Sequence, residues 1–360
     1  MRLQTKTSDL NGAHQMFLEK NLTKPVPLAG GGDRKAFRWL AVLAAFRAWL
    51  FLAILLATFE IWARVAYGGT FVFNPLNVKS IALFTVTPLL LGLGQTFVII
   101  SGGIDLSVGF TMGLSAVVTA HVYNWAAQFG NSGISLLVAV AAGLGVAVVP
   151  GLINGLLIAD LRVPPFIGTL GMYGVARGVA FLLAKGTTVP VQGGLLGQIG
   201  NGETLGFPNL VLLTIAIILG MHYLLSQTRY GQHIYAIGGN VNAALRAGIN
   251  VRNNTIALYI LSALTAACAG IFYTAKFSAG AAQAGEPVLL DSIAAVVIGG
   301  ASLFGGSGTI IGTIIGALIV AVIQYGLVFV NVEPFWQFVA VGVVIIISVL
   351  VDQIQKGARK

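Results

Sequence analysis

The chain of 360 residues is 57% apolar and 9% charged, where a soluble domain carries roughly 25% charged residues. With a mean hydropathy of +0.90, a water-soluble fold would expose more apolar surface than a monomer tolerates, whereas a bilayer accepts it. One cysteine, Cys268, excludes a disulfide framework and a thiolate metal site within one chain.

The formal net charge of +9 is laid out as a membrane topology rather than a nucleic-acid stripe. Arg2, Lys6, Lys20, Lys24, Arg34, Lys35, Arg38 and Arg47 precede the first apolar span, against Asp9, Glu19 and Asp33. Arg229, Arg246 and Arg252 share one later loop, and Lys356, Arg359 and Lys360 close the chain. Residues 1–40 are polar, with Pro25, Pro27 and Gly30-Gly31-Gly32 and no helical period, and read as a mobile cytoplasmic tail. Apolar spans follow at 48–67, 81–101, 106–123, 134–159, 165–183, 210–225, 255–274, 290–303, 309–330 and 335–351. Each is judged against the ~20 residues a helix needs to cross hydrocarbon. Several are short or glycine-broken, so the expectation is an all-α polytopic bundle of about ten, eight to ten, membrane helices. The transmembrane domain is drawn at 41–352, with an inter-span loop at 227–254 and a second cytoplasmic tail at 353–360. An even count places both termini on one side, and the basic segments make that side cytoplasmic.

Small residues recur every four positions at Gly143, Ala147, Gly151 and Gly155, and again at Gly308, Gly312 and Gly316. Such rows give flat strips where another backbone packs closely. An internal repeat is also expected, since Gly102-Gly103-Ile104-Asp105-Leu106 echoes Gly299-Gly300-Ala301-Ser302-Leu303. Ten spans make the copies parallel; one re-entrant span makes them inverted.

The segment from Gly94 to Gly109 carries the strongest chemical signal. Paired glycines weaken a helix, and Asp105 stands where its carboxylate would cap the next one. Irregular backbone at membrane depth survives only where protein or water satisfies it, so this break faces the interior or an aqueous path. A capped turn at the interface is the alternative. In the fifth span, Pro165 suits a first helical turn, and Thr169, Tyr173 and Arg177 follow at four-residue intervals on one face, with Gly171, Gly174 and Gly178 on another. An arginine inside an apolar span costs ~2.5 to 3.5 kcal/mol, so Arg177 faces a partner or water, or snorkels to an interface. Gln95, Asn154, Gln324 and Gln337 read as inter-helix hydrogen-bond partners rather than ligands.

Between Arg229 and Asn254, Asn242 to Gly248 reads as a short helix with Asn240 as cap and Gly248 as stop. A short exposed helix of alanines with one arginine suits docking into a partner's groove; a solvated loop is the alternative.

Four runs in order carry a resemblance. Gly102-Gly103-Ile104-Asp105-Leu106-Ser107-Val108-Gly109 is similar to the signature of the ribose- and galactose-type permeases of ATP-binding-cassette importers. The likeness extends through Val163 to Gly171, through Arg229-Tyr230-Gly231 with Ile237-Gly238-Gly239-Asn240, and through Asp291 to Gly300. It covers about Phe73 to Asp352 and leaves out the first 40 or so residues. It implies a subunit of the bacterial inner membrane that forms the path for a sugar or polyol. It also implies a separate ATPase subunit, a periplasmic solute-binding protein and a second permease copy in a homodimer as partners. On that reading Gln95, Ser101, Gly102, Gly103, Asp105, Ser107, Thr169, Tyr173, Arg177, Gly299, Gly300 and Ser302 belong to the path or to the helix breaks beside it. The 227–254 loop corresponds to the coupling helix that meets the ATPase, with Arg229, Tyr230, Gly231, Gly238, Gly239, Asn240, Ala243, Ala244, Arg246 and Gly248 as its candidates. Two departures stand out. Many members have a glutamate near the start of that helix, where this chain has Val241 and Asn242, which leaves Arg246 as the substitute polar contact. Many also place a glutamate two residues before the aspartate at 291; here Leu289 stands there and Glu286 lies three residues earlier.

No Gly-x-x-x-x-Gly-Lys-[Ser/Thr] run occurs, so the chain is not expected to hydrolyse ATP or to carry a cofactor. An ion-coupled secondary transporter, with Asp105 as its proton or sodium site, is the competing reading.

Overall fold

The computed structural model describes residues 33–333 and 335–357. The chain divides into two units, residues 1–47 and 48–360, and the second holds the architecture below. The expected tails fall mostly on residues 1–32 and 358–360, outside the described residues; the first and last helices take in the remainder.

Thirteen helices are described: α1 (Asp33–Tyr67), α2 (Pro75–Ile100), α3 (Val108–Ala127), α4 (Ser132–Ala159), α5 (Pro165–Leu183), α6 (Leu195–Asn201), α7 (Asn209–Gln227), α8 (Arg229–Gly239), α9 (Val241–Arg246), α10 (Val251–Phe277), α11 (Glu286–Ile298), α12 (Ile310–Phe329) and α13 (Phe335–Gly357). Four two-residue strands, β1 (Val189–Pro190), β2 (Glu203–Thr204), β3 (Phe207–Pro208) and β4 (Ala279–Gly280), pair as β1–β4 and β2–β3. Among the described residues, seven segments are long and apolar enough to span a bilayer: Ala48–Tyr67 of α1, and α2, α4, α5, α7, α10 and α12.

The three remaining expected spans differ for physical reasons. Helix α3 has 20 residues, but it is sheathed by protein from Val108 to Ala120, and a helix that meets little lipid need not be uniformly apolar. Helix α11 has only 13 residues, about 20 Å at 1.5 Å per residue, and cannot cross alone. Ahead of it the chain from Ala279 to Gly285 runs down the side of α3. A side chain on Gly280 would strike the Ala116 carbonyl, one on Gly113 the Ala282 carbonyl, and one on Gly285 the Gly109 carbonyl. In α13 the apolar stretch is Phe335–Ile347.

Helix α10 is wedged between α2, α3 and α4. The expected small-residue row on α4 faces it: a side chain on Gly151 would come within 2.7 Å of the Tyr259 carbonyl oxygen, and one on Gly155 within 2.8 Å of the Ile256 Cα. Ala147 packs with Ala263 and Ala267. On α12, Gly312 lies against Gly299 and Gly316 against the Ala295 carbonyl; Gly308 precedes the helix.

The internal echo is structural, with a register one residue different from the sequence alignment. After α2, Gly102 N donates to Ile99 O at 3.0 Å and Gly103 N to Val98 O at 2.9 Å; after α11, Gly300 N donates to Val297 O at 2.9 Å and Ala301 N to Val296 O at 3.1 Å. Both are Schellman ends with a left-handed glycine, Gly102 at φ +87° and Gly300 at φ +92°. Gly102 therefore matches Gly300, because what repeats is the helix stop and not the letter pattern. The two helices run side by side in one direction: Gly92 lies against Ser292 and Val296, and Ile99 packs with Val296 and Ala301.

Candidate functional site

Asp105 is 1% exposed and organises a polar latch. Its Oδ1 accepts from Ser107 N at 3.0 Å and from the Ser107 hydroxyl at 2.6 Å, and its Oδ2 accepts from the Ser262 hydroxyl at 2.9 Å. Asn154 Nδ2 donates to Ser107 Oγ at 2.9 Å, and the Gln95 amide donates to the Asp105 carbonyl oxygen. The Thr169 hydroxyl donates to Ile104 O at 3.1 Å. Helices α2, α3, α4, α5 and α10 are thus tied to one turn. The carboxylate does not cap α3, as the sequence suggested. Ser107 is the N-cap residue and makes no side-chain cap bond, while Asp105 closes a local turn onto the residue two positions on, which short acidic side chains do readily.

The two Schellman ends meet. Gly306 N donates to Ile100 O, the last carbonyl of α2, at 2.8 Å, and a side chain on Gly305 would come within 3.1 Å of Gly102 Cα. Helix α8 is seated on this junction: a side chain on Gly238 would collide with Ile100 O and come within 2.7 Å of Gly306 N, and the Tyr235 hydroxyl donates to Gly308 O at 2.7 Å. Burial raises the Tyr230 and Tyr235 phenols above their ordinary range, so both stay neutral. Tyr230 stacks on Phe97 with centroids 6.2 Å apart, and Gly231 packs on Leu225 O. Asn240 caps α9, its Oδ1 accepting from Ala243 N at 3.0 Å, and Gly248 ends it at φ +79°. Ala244 is buried, while Val241, Ala243, Leu245 and Arg246 point outward. Beside this elbow, Arg252 forms a two-pronged pair with Asp160 at 2.5 and 2.7 Å, which holds the Asp160 carboxyl below its usual range.

A third group lies on the outer face of α5. Arg177 Nη1 is 3.9 Å from Glu286 Oε1, with side-chain exposures of 50% and 43%, and the Tyr173 hydroxyl lies 3.4 Å from the same oxygen. The guanidinium sits over the Phe110 ring at 5.3 Å and the Phe181 ring at 5.9 Å. Along the 19-residue helix, Tyr173 and Arg177 stand about 12 and 18 Å from its start, the middle of a crossing.

A family described as "Branched-chain amino acid transport system / permease component" matches residues 77–349. The chain belongs to this permease family. The ribose import permease protein of Escherichia coli (strain K12) is 38% identical to the permease over 282 residues, 77% of this chain and 85% of its own length. The fructose import permease protein of Rhizobium meliloti is 37% identical over 295 residues, 77% and 80% of the two chains. The galactose/methyl galactoside import permease protein of Escherichia coli (strain K12) is 33% identical over 299 residues, 79% and 88%. The family description speaks of amino acids and these relatives of sugars. No solved structure matches the permease significantly.

The sequence candidates of the permease separate into three places. Gln95, Asp105 and Ser107 form the latch, which Thr169 joins. Ser101, Gly102, Gly103, Gly299, Gly300 and Ser302 form the two helix ends, Ser302 being buried in a turn where its N–H donates to Ser307 O at 2.9 Å. Tyr173 and Arg177 stand apart on the exposed face. Thr169 is fully buried and does not share that face, because two four-residue steps rotate about 80° around a helix of 3.6 residues per turn. Sequence reasoning missed Ser262, Tyr235 and Phe110 as partners, and left Glu286 open; a glutamate opening a span whose partner arginine is more than a hundred residues away gives no local signal.

Proposed function

We propose that the permease is the membrane-spanning subunit of an ATP-driven importer of a sugar or polyol. It works with a separate cytoplasmic ATPase subunit, a periplasmic solute-binding protein and a second copy of itself, in a bacterial inner membrane with both termini cytoplasmic. The observation that carries this reading is the seat of the exposed basic elbow, α8–α9, on the junction of two broken helices. The relatives named for ribose, fructose and galactose import support the solute class. Force on α9 passes through Gly238 and Tyr235 to Ile100, Gly306 and Gly308, and so to the inner ends of α2 and α12; a switch of this kind works when the ATPase contacts the two states unequally. On α5, Gly171, Gly174 and Gly178 have nothing within 4 Å, an open strip that suits close approach by a helix of the second copy.

Ion coupling through Asp105 is disfavoured, since its carboxylate already accepts three hydrogen bonds and is sealed from water. The test is uptake of labelled ribose, fructose and galactose in cells lacking the chain and in the same cells with it restored. Uptake is expected to depend on the chain, to persist when the ion gradient is collapsed and to stop when ATP is depleted. Loss of uptake with the gradient alone would overturn the reading.

A further inference from the structure

We propose that Glu286, together with Arg177 and Tyr173, forms a recognition point within the membrane for a neutral solute bearing adjacent hydroxyls, an inference that rests on the importer reading above. Depth is the first argument. Glu286 opens α11, directly after Gly285, which is pressed against Gly109 in the first turn of α3. It faces Tyr173 and Arg177 at the middle of α5. A charged pair at that depth, 50% and 43% exposed, is too costly to offer to lipid and marks water or a solute path.

Geometry is the second argument. The 3.9 Å and 3.4 Å separations exceed the roughly 2.7–2.9 Å of a closed charge-assisted hydrogen bond. Both contacts fall on Oε1, and among the described residues Oε2 accepts no hydrogen bond. Arg177 and Tyr173 are held in place by Phe110, which meets the Tyr173 ring edge-on at 4.6 Å; Glu286 is held by Gly285 and by Pro287 in the first turn of α11, whose N-terminal dipole favours its negative charge. The site is rigid in its frame and open between its polar atoms.

Chemistry is the third. A hydroxyl both donates and accepts, so one of two neighbouring hydroxyls gives its hydrogen to the free carboxylate oxygen while the other accepts from the guanidinium or the phenol. The pair carries no net charge, which admits an uncharged polyol and gives no advantage to a phosphorylated or cationic one. Leu289 is buried against Gly109, so a carboxylate there would be sealed; a turn earlier, at Glu286, it reaches the open face.

Two measurements test this. In a Cys268→Ala background, cysteine at 173, 177 or 286 is expected to react with a membrane-impermeant, water-soluble methanethiosulfonate, whereas Val175→Cys on the apolar side of α5 is not. Failure of Glu286→Cys to react would overturn the inference whatever the permease transports. In cells, Glu286→Gln and Arg177→Gln are each expected to lower ribose, fructose and galactose uptake about tenfold or more. Glu286→Asp is expected to change the ratio among the three sugars, which a merely structural defect, scaling all three alike, does not do. Wild-type uptake by both glutamine variants at normal membrane levels, or unchanged ratios in Glu286→Asp, would sink the recognition point alone. If the unaltered permease imports none of the sugars, the importer reading fails and this inference falls with it.

Discussion

At the scale of the residue, Asp105 shows how a buried carboxylate is kept without a cation. Its three donors, two from Ser107 and one from Ser262, satisfy the charge, and no basic side chain pairs with it among the described residues. Asp105→Ala leaves these donors without an acceptor and is expected to cost about 2–4 kcal/mol, read as a lower unfolding midpoint of the purified permease in detergent. Asp105→Asn keeps an acceptor for Ser107, and the Ser262 hydroxyl turns to accept from the new amide, so its cost is about 1 kcal/mol and uptake persists. An ion-binding carboxylate gives the opposite result, with Asn abolishing accumulation. Asp160 behaves differently, lying at the surface and paired to Arg252. Because its carboxyl titrates below the ordinary 3.8 when folded, the pair's contribution is complete at neutral pH and is lost as pH falls through the lowered folded value. The unfolding midpoint of Asp160→Asn is therefore expected to lie slightly below wild type at pH 7 in low salt. The difference should close in strong acid and in 1 M salt, where screening is nearly complete.

At the scale of the element, the long spans were legible and the segment around α11 was legible only in part. The row Gly143, Ala147, Gly151, Gly155 announced a tight neighbour, and the structure supplies α10. Placing leucine at 151 drives its branch into the Tyr259 carbonyl and Ala263, an overpacking expected to cost about 1–3 kcal/mol. Leucine at 145, where nothing lies within 4 Å, is expected to be neutral; equal membrane yields of the two variants would show that α4 and α10 do not pack this way. Sequence reading placed a span at 290–303 but missed the run ahead of α11, because Ala279-Gly280-Ala281-Ala282-Gln283-Ala284-Gly285 has no hydropathic signature of its own. Its small residues are there to slide along Gly109, Gly113 and Ala116 of α3, a match of two distant segments that neither reveals alone. The echo of paired glycines was visible for the opposite reason: a left-handed helix stop demands glycine locally. Its register was misread because only one glycine of each pair, Gly102 and Gly300, has the positive φ.

At the scale of the whole molecule, the question is how an event at one end reaches the interior. Helix α9 presents Val241, Leu245 and Arg246 outward, whereas the end of α8 is inserted among backbone atoms of two helix stops. Backbone-to-backbone contact of this kind has no side chain to yield, so displacement of α8 is passed to α2 and to the Gly305–Gly308 turn rather than absorbed. Gly238→Val presses an isopropyl group into Ile100 O and lifts α8 from its seat. The expected result is uptake lowered more than tenfold in a permease that still reaches the membrane and still copurifies with the ATPase subunit proposed above, since α9 is untouched. Tyr235→Phe removes only the 2.7 Å bond to Gly308 O, worth about 1 kcal/mol, and should lower uptake about fivefold while sparing the same association. If both variants transport at the wild-type rate for each ATP hydrolysed, force enters the bundle elsewhere. The Arg252–Asp160 pair, which joins the start of α10 to the end of α4, is then the next route to cut.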